Sequence, residues 1–186
     1  MNVNGAAILT NPQPGSHIVY PYTDESLVSQ AVCLYASAGL HKNEAVVLIM
    51  SKGHFEPIMD RLKTEGIDVE DRQRSGQLAC VVAEDMLPGF MVDGMPDTSR
   101  FKAAIGSVIS RARASTSNGH QAHVRVFGEM VSLLWEKNLA AATRLEEMWN
   151  ETIDNRSTLM CTYTLRGAPH DALPEALVAL HSHNIG

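Results

Sequence analysis

Short apolar, β-branched runs alternate along the chain with longer segments whose apolar residues recur at helical spacing. Ala45 to Met50 (AVVLIM) is apolar at every position, as a strand covered on both faces must be. His17 to Tyr20 (HIVY), Gln77 to Ala83, His123 to Phe127 (HVRVF) and Leu159 to Leu165 (LMCTYTL) read as further strands. Ile67 to Arg72 is more polar and reads as an edge strand, joined to the next through Ser75-Gly76.

The intervening segments predict helices. Asp24 is placed to cap one running to about Ala38, with Leu27, Ala31, Leu34 and Tyr35 as its apolar stripe and Gly39 as its end. Phe55 to Leu62 follows, closed by Gly66, and Glu84 to Phe90 reads as a short helix or turn. Phe101 to Arg113 carries Phe101, Ile105, Val108, Ile109 and Ala112 on one side and stops at Asn118-Gly119. Glu129 to Trp135, Ala140 to Ile153 and Asp171 to His181 complete the set. Strand-then-helix alternation of this kind predicts an α/β fold of three layers, a mostly parallel sheet with helices on both faces. Pro12, Pro14 and Gly15 make residues 1–15 read as a loose, flexible leader, with one domain spanning 16–186.

At 186 residues and 45% hydrophobic, the chain is long enough to bury one substantial core. A formal net charge of -6 argues against direct nucleic-acid binding and against an anionic membrane surface. Its apolar runs, such as Ala45 to Met50, fall far short of the roughly 20 residues a spanning helix needs. The first residues carry no basic segment before an apolar stretch, so cytoplasm is the expected compartment. Cys33, Cys80 and Cys161 are far apart, without CxxC spacing, and read as buried small hydrophobes. His120 and His123, or His181 and His183, do not place two imidazoles on one face of a secure helix, so no metal site is assigned.

In a parallel α/β fold, ligands bind beyond the carboxyl ends of the strands. That rule selects Tyr20 to Asp24, Ser51 to His54, Glu84 and Asp85, Gly128 and Glu129, and Tyr163 to Arg166. From these and the nearby aromatic surface, the candidate ligand-binding residues are Tyr22, Asp24, Ser51, Lys52, His54, Glu84, Glu129, Trp135 and Tyr163. Ser51-Lys52-Gly53-His54 stands where a phosphate-cradling loop would stand, but it has one glycine and lacks the GxxxxGK[ST] order. Lys52 and the helix start could still attract a carboxylate or phosphate, and Glu129 could serve as base, acceptor or ligand. No GxSxG, HExxH, Cys-His or clustered-carboxylate motif accompanies them, so no catalytic set and no cofactor is assigned. Met86, Met91 and Met95, near Pro88-Gly89 and Gly94, read as an adaptable lid or as a core edge.

The segments GSHIVYPYTDE, AGLHKNEAVVLI, VRVFGEMVSLLWEKNLAAATRLEEMWN, LMCTYTL and ALHSH together resemble the MEDS family, a sensory domain of methanogens and methylotrophs first associated with a regulator of dichloromethane degradation. The resemblance runs from Ser16 to His183 and implies a core similar to the RecA and KaiC-like P-loop ATPases with a degenerate phosphate loop. It also implies non-catalytic sensing of small, often hydrocarbon-derived ligands in transcriptional or two-component regulation. The expected partners are therefore a small-molecule ligand, a separate histidine kinase or transcription regulator, and a second copy in a homodimer. A divergent nucleotide-binding protein or enzyme working through Lys52, His54 and Glu129 is the alternative.

Overall fold

A computed structural model describes residues 3–116, 122–165 and 172–186. In chain order the main elements are α1 (Val3–Thr10), β1 (His17–Tyr22), α2 (Glu25–His41), β2 (Ala45–Met50), α3 (Lys52–Thr64), α4 (Val69–Arg74), β3 (Leu78–Val82) and α5 (Ala83–Met86). A 3₁₀ turn (Leu87–Phe90) leads into β4 (Met91–Val92) and β5 (Met95–Pro96), then α6 (Thr98–Ala114), β6 (Val124–Gly128), α7 (Leu139–Thr152), β7 (Ser157–Thr164), α8 (Glu175–Val178) and β8 (His183–Asn184). Six strands form one sheet in the order β3-β2-β6-β7-β1-β8, every neighbour pair parallel, while β4 and β5 make a separate antiparallel hairpin.

Strand periodicity sorts the side chains into two cores. In β2, Ala45, Val47 and Ile49 face one side and Val46, Leu48 and Met50 the other, all six fully buried. The first face packs against Phe101, Ile105 and Ile109 of α6, Leu145, Met148 and Trp149 of α7 and Leu177 of α8. The second meets Leu9 of α1, Val28, Val32 and Tyr35 of α2, Ile58 and Leu62 of α3 and Val69 of α4. Each fully buried Val, Leu or Ile contributes about 1.5–3 kcal/mol. These two apolar layers hold the strand ends in place, and with them the site described below. The expected three-layer α/β arrangement with helices on both faces is thus observed.

Several local expectations are corrected. Val3–Thr10 is a helix rather than a loose leader: Leu9 is fully buried, and Arg125 reaches across to donate to Leu9 O at 2.8 Å and Thr10 O at 3.3 Å. Ile67 to Arg72 is no strand, because Asp68 caps α4, its carboxylate accepting from Asp71 N at 2.9 Å. The stripe of α2 runs through Val28, Ala31, Val32 and Tyr35, whereas Leu27 is exposed, and Gly39 sits inside the helix instead of ending it. A Cβ at Gly39 would lie 2.7 Å from Arg125 Cδ, so this glycine makes room for the buried guanidinium. In place of the helix expected over Glu129 to Trp135, residues 130–137 form successive turns. The stop at Asn118-Gly119, the start of the last helix at Asp171, and His120 lie outside the described residues.

Arg125 is the largest charged group in the core, 1% exposed. It pairs with Glu44 at 2.5 Å, donates to Tyr35 O at 3.1 Å and lies 5.2 Å from the centre of the Tyr35 ring. Carbonyls, a carboxylate and an aromatic face thus surround a charge that would be costly to bury alone. No helix among the described residues is long and apolar enough to cross a membrane.

Candidate functional site

The helices that follow β1 and β2 pack on one face of the sheet, and those that follow β6 and β7 pack on the other. Since β2 neighbours β6 and β7 neighbours β1, the chain leaves these adjacent strands in opposite directions. Such divergence opens a crevice at the carboxyl ends. A cleft of about 510 Å³ lies there, lined by Tyr22, Glu25, Ser26, Ser29, Ser51, Gly53, His54, Pro57, Glu129, Ser132, Leu133 and Thr164. That volume falls within the range of small-molecule sites.

At its centre, one imidazole is held between two carboxylates. His54, in the first turn of α3, has Nδ1 2.5 Å from Glu129 Oε1, while its Nε2 meets the Glu25 carboxylate. Glu129 is 2% exposed and takes its second bond from Ser51 N at 2.6 Å. Its own N–H donates to Ile49 O at 3.0 Å, extending the β2–β6 ladder and pinning it at the carboxyl end of these central strands. The Glu129 hydrogen bond raises the His54 pKa to about 9, burial opposes the rise, and the Glu129 charge and the exposed Glu25 add to it. His54 is therefore an imidazolium at neutral pH, and with both carboxylates ionised the group carries a net charge of about -1. Tyr22 stands 6.0 Å from the His54 ring; burial first, then Glu129 and Glu25, push its hydroxyl pKa upward, so it remains a neutral donor.

The start of α3 is already occupied by the chain's own carboxylates. Glu129 takes Ser51 N–H, and both oxygens of Glu84 accept from Lys52 N, at 3.1 and 3.0 Å. The Lys52 ammonium turns outward to Asp85 at 2.9 Å, with both side chains about two-thirds exposed. Donors that would cradle a phosphate are thus committed to anions the protein supplies itself.

Of the residues selected from the sequence, Tyr22, Ser51, His54 and Glu129 meet in the cleft. Lys52 and Glu84 border the start of α3 without lining the cleft, and Asp24 caps α2, accepting from Ser26 N at 2.8 Å. Trp135 and Tyr163 are not part of the cleft: both belong to the core on the α6–α7 side, 6.1 Å apart edge to face. The alternation of β7 decides this, since Tyr163 shares the face of Leu159 and Cys161. Met86, Met91 and Met95 line no part of the cleft, and Met86 and Met91 pack on the same core. Arg166, at the end of the selected rim, lies outside the described residues. Gly53 and Thr164 of the selected rim also line the cleft, whereas sequence reasoning missed Glu25, Ser26, Ser29, Pro57, Ser132 and Leu133. Glu25 was open to inference, since it directly follows the cap of a helix that begins at a strand's carboxyl end.

The architecture defines a parallel α/β domain with a cleft at the carboxyl ends of its strands. Residues 16–182 match the family described as MEDS, methanogen/methylotroph, DcmR Sensory domain. The chain belongs to this sensory domain family. No curated protein matches it.

Proposed function

We propose that the cleft around His54 is the receptor site of a non-catalytic sensory domain, and that its occupant is a small, partly apolar organic molecule, neutral or cationic. The single observation that carries this reading is the His54 imidazolium held between Glu129 and Glu25 in the lining of a cleft of about 510 Å³. Two carboxylates against one imidazolium favour a hydroxyl or amine donor over an anion, and Pro57 and Leu133 offer apolar surface beside them. A ligand that displaces Glu25 from His54 releases the start of α2 from the start of α3, a local change that a partner protein or a second copy can read. Output through a histidine kinase or a transcription regulator, and signalling as a homodimer in the cytoplasm, belong to the same proposal.

Two features favour binding over turnover. Both nitrogens of His54 face carboxylates, so the ring activates no serine or cysteine nucleophile. The Ser51 and Lys52 N–H groups at the start of α3 are taken by Glu129 and Glu84, so a triphosphate using them would have to displace two carboxylates.

The test is a thermal-shift screen of the purified chain with small alcohols, amines and halogenated hydrocarbons. A binder at 100 times its Kd stabilises by about 2.7 kcal/mol. The expected result is a rise in Tm for the native chain that disappears in a Ser29→Trp variant, whose indole fills the cleft. No shift with any compound, or the same shift in Ser29→Trp, overturns the proposal. Binding and hydrolysis of Mg²⁺-ATP that Glu129→Ala abolishes would establish the enzyme alternative.

A further inference from the structure

A second constellation lies away from the cleft, buried between the sheet and the helices of the α6–α7 face. His17 at the start of β1, Glu146 within α7, Cys161 in β7 and His181 after α8 bring one donor atom each within 4.8 Å of one another. The residues are 164 positions apart at the extremes, and the side chains of Glu146 and His181 are wholly buried.

The distances fit a coordination polyhedron. His17 Nε2, Glu146 Oε2 and Cys161 Sγ form a triangle with edges of 3.2, 3.4 and 3.5 Å, and His181 Nε2 stands 3.2 Å from the other oxygen of Glu146. Metal bonds of roughly 2.0–2.3 Å give tetrahedral edges of about 3.3–3.8 Å, close to that triangle.

The protons point the same way. His181 Nδ1 lies 2.8 Å from Leu177 O, and a carbonyl only accepts, so Nδ1 carries the proton. Asn150 Nδ2 donates to Leu180 O at 2.9 Å, which turns Asn150 Oδ1 toward His17 Nδ1 at 2.9 Å and makes that nitrogen a donor as well. Each ring, if neutral, therefore aims a bare Nε2 lone pair at the centre. His181 Nε2 makes no hydrogen bond despite its nearness to Glu146, and a bare nitrogen against an acceptor-only carboxylate explains why. Charging both rings instead would place two cations with centroids 4.1 Å apart in the core beside one carboxylate.

We propose that His17, Glu146, Cys161 and His181 bind a divalent transition-metal ion of zinc type. Two neutral imidazoles, one carboxylate and one thiolate around a dication sum to zero charge, which suits a buried site. The Leu177 carbonyl and Asn150 are the outer partners that orient metal-bound histidines, and Tyr163 donates its hydroxyl to Glu146 Oε1 in the same role. Binding displaces the Cys161 thiol proton to solvent and forms the metal–sulfur bond. Four protein donors close the coordination shell, so the ion is structural and ties the segment carrying His181 and β8 to β1, β7 and α7. This site is independent of the cleft and stands or falls separately from the receptor proposal.

The experiment uses the full chain purified without chelator or affinity metal. Elemental analysis is expected to find about one zinc per chain. After stripping, Co²⁺ titration should saturate at about one equivalent and produce a near-ultraviolet thiolate-to-cobalt band with intense tetrahedral visible bands. Cys161→Ser should lose the thiolate band while Cys33→Ser and Cys80→Ser retain it, and the stripped chain should melt several degrees lower until zinc is returned. The native titration stands on its own if Cys161→Ser does not fold. A native chain that takes up no stoichiometric cobalt, gives no thiolate band, or keeps the band in folded Cys161→Ser overturns the proposal.

Discussion

Replacing Glu129 by glutamine tests the electrostatics of the cleft most directly. Glutamine keeps the size of the side chain but removes the charge 2.5 Å from His54 Nδ1, and its amide oxygen can replace only one of the two carboxylate oxygens that face His54 and Ser51 N, leaving an NH₂ donor at the other. A rise of the His54 pKa from 6.5 to about 9 corresponds to ~3 kcal/mol of preference for the charged ring in the fold. Because the folded-state value is the higher one, this stabilisation is complete below about pH 6.5 and is lost as pH rises through about 9. Glu129 carries most of it, since the Glu25 side chain is 47% exposed and screened by water. Glu129→Gln should therefore cost about 2–3 kcal/mol in urea melts near pH 6, and the deficit should shrink toward about pH 10. In NMR titrations the His54 ring resonances should move near pH 9 in the native chain and at least one pH unit lower in the variant. A deficit of equal size at both ends of the range, or a native His54 that titrates near 6.5, would refute the reasoning.

The other predictions concern positions around the site and the scaffold. Lys52→Ala should leave the urea-melt midpoint and ligand-induced Tm shifts unchanged, because the ammonium meets exposed Asp85 outside the cleft. A large loss of binding in that variant would restore the phosphate-loop alternative. Arg125→Ala should cost about 3–5 kcal/mol, since Glu44 and the Leu9, Thr10 and Tyr35 carbonyls each lose a charged donor, and limited proteolysis should then cut within α1. Gly39→Ala should lower stability by about 1–3 kcal/mol in the same assay, because the added methyl meets Arg125 and Val46 in a filled space. Wild-type stability in either of the last two variants would show that the guanidinium is free to move.

Much of the scaffold was legible from local pattern alone. A strand such as Ala45–Met50 declares itself because six consecutive apolar residues satisfy a two-faced environment, and the stripes of α6 and α7 follow from 3.6-residue spacing within one element. The carboxyl-end rule then located Tyr22, Ser51, His54 and Glu129, since it needs only strand boundaries. The rule could not say which way a side chain turns: Tyr163 and Glu129 both follow from it, but the alternation of β7 sends Tyr163 to the opposite core.

What composition and periodicity determined was the layered α/β plan and the edge of the sheet where chemistry could sit. Tertiary structure alone decided the long-range pairings, because local spacing carries no information about partners more than a hundred residues apart. Leu9 and Arg125 make a helix of an apparent leader, and Gly39 proves to be clearance for a guanidinium rather than a helix stop. His17, Glu146, Cys161 and His181 looked like isolated residues in sequence, and the parallel pairing of β1 with β7 beneath α7 is what draws them around one point.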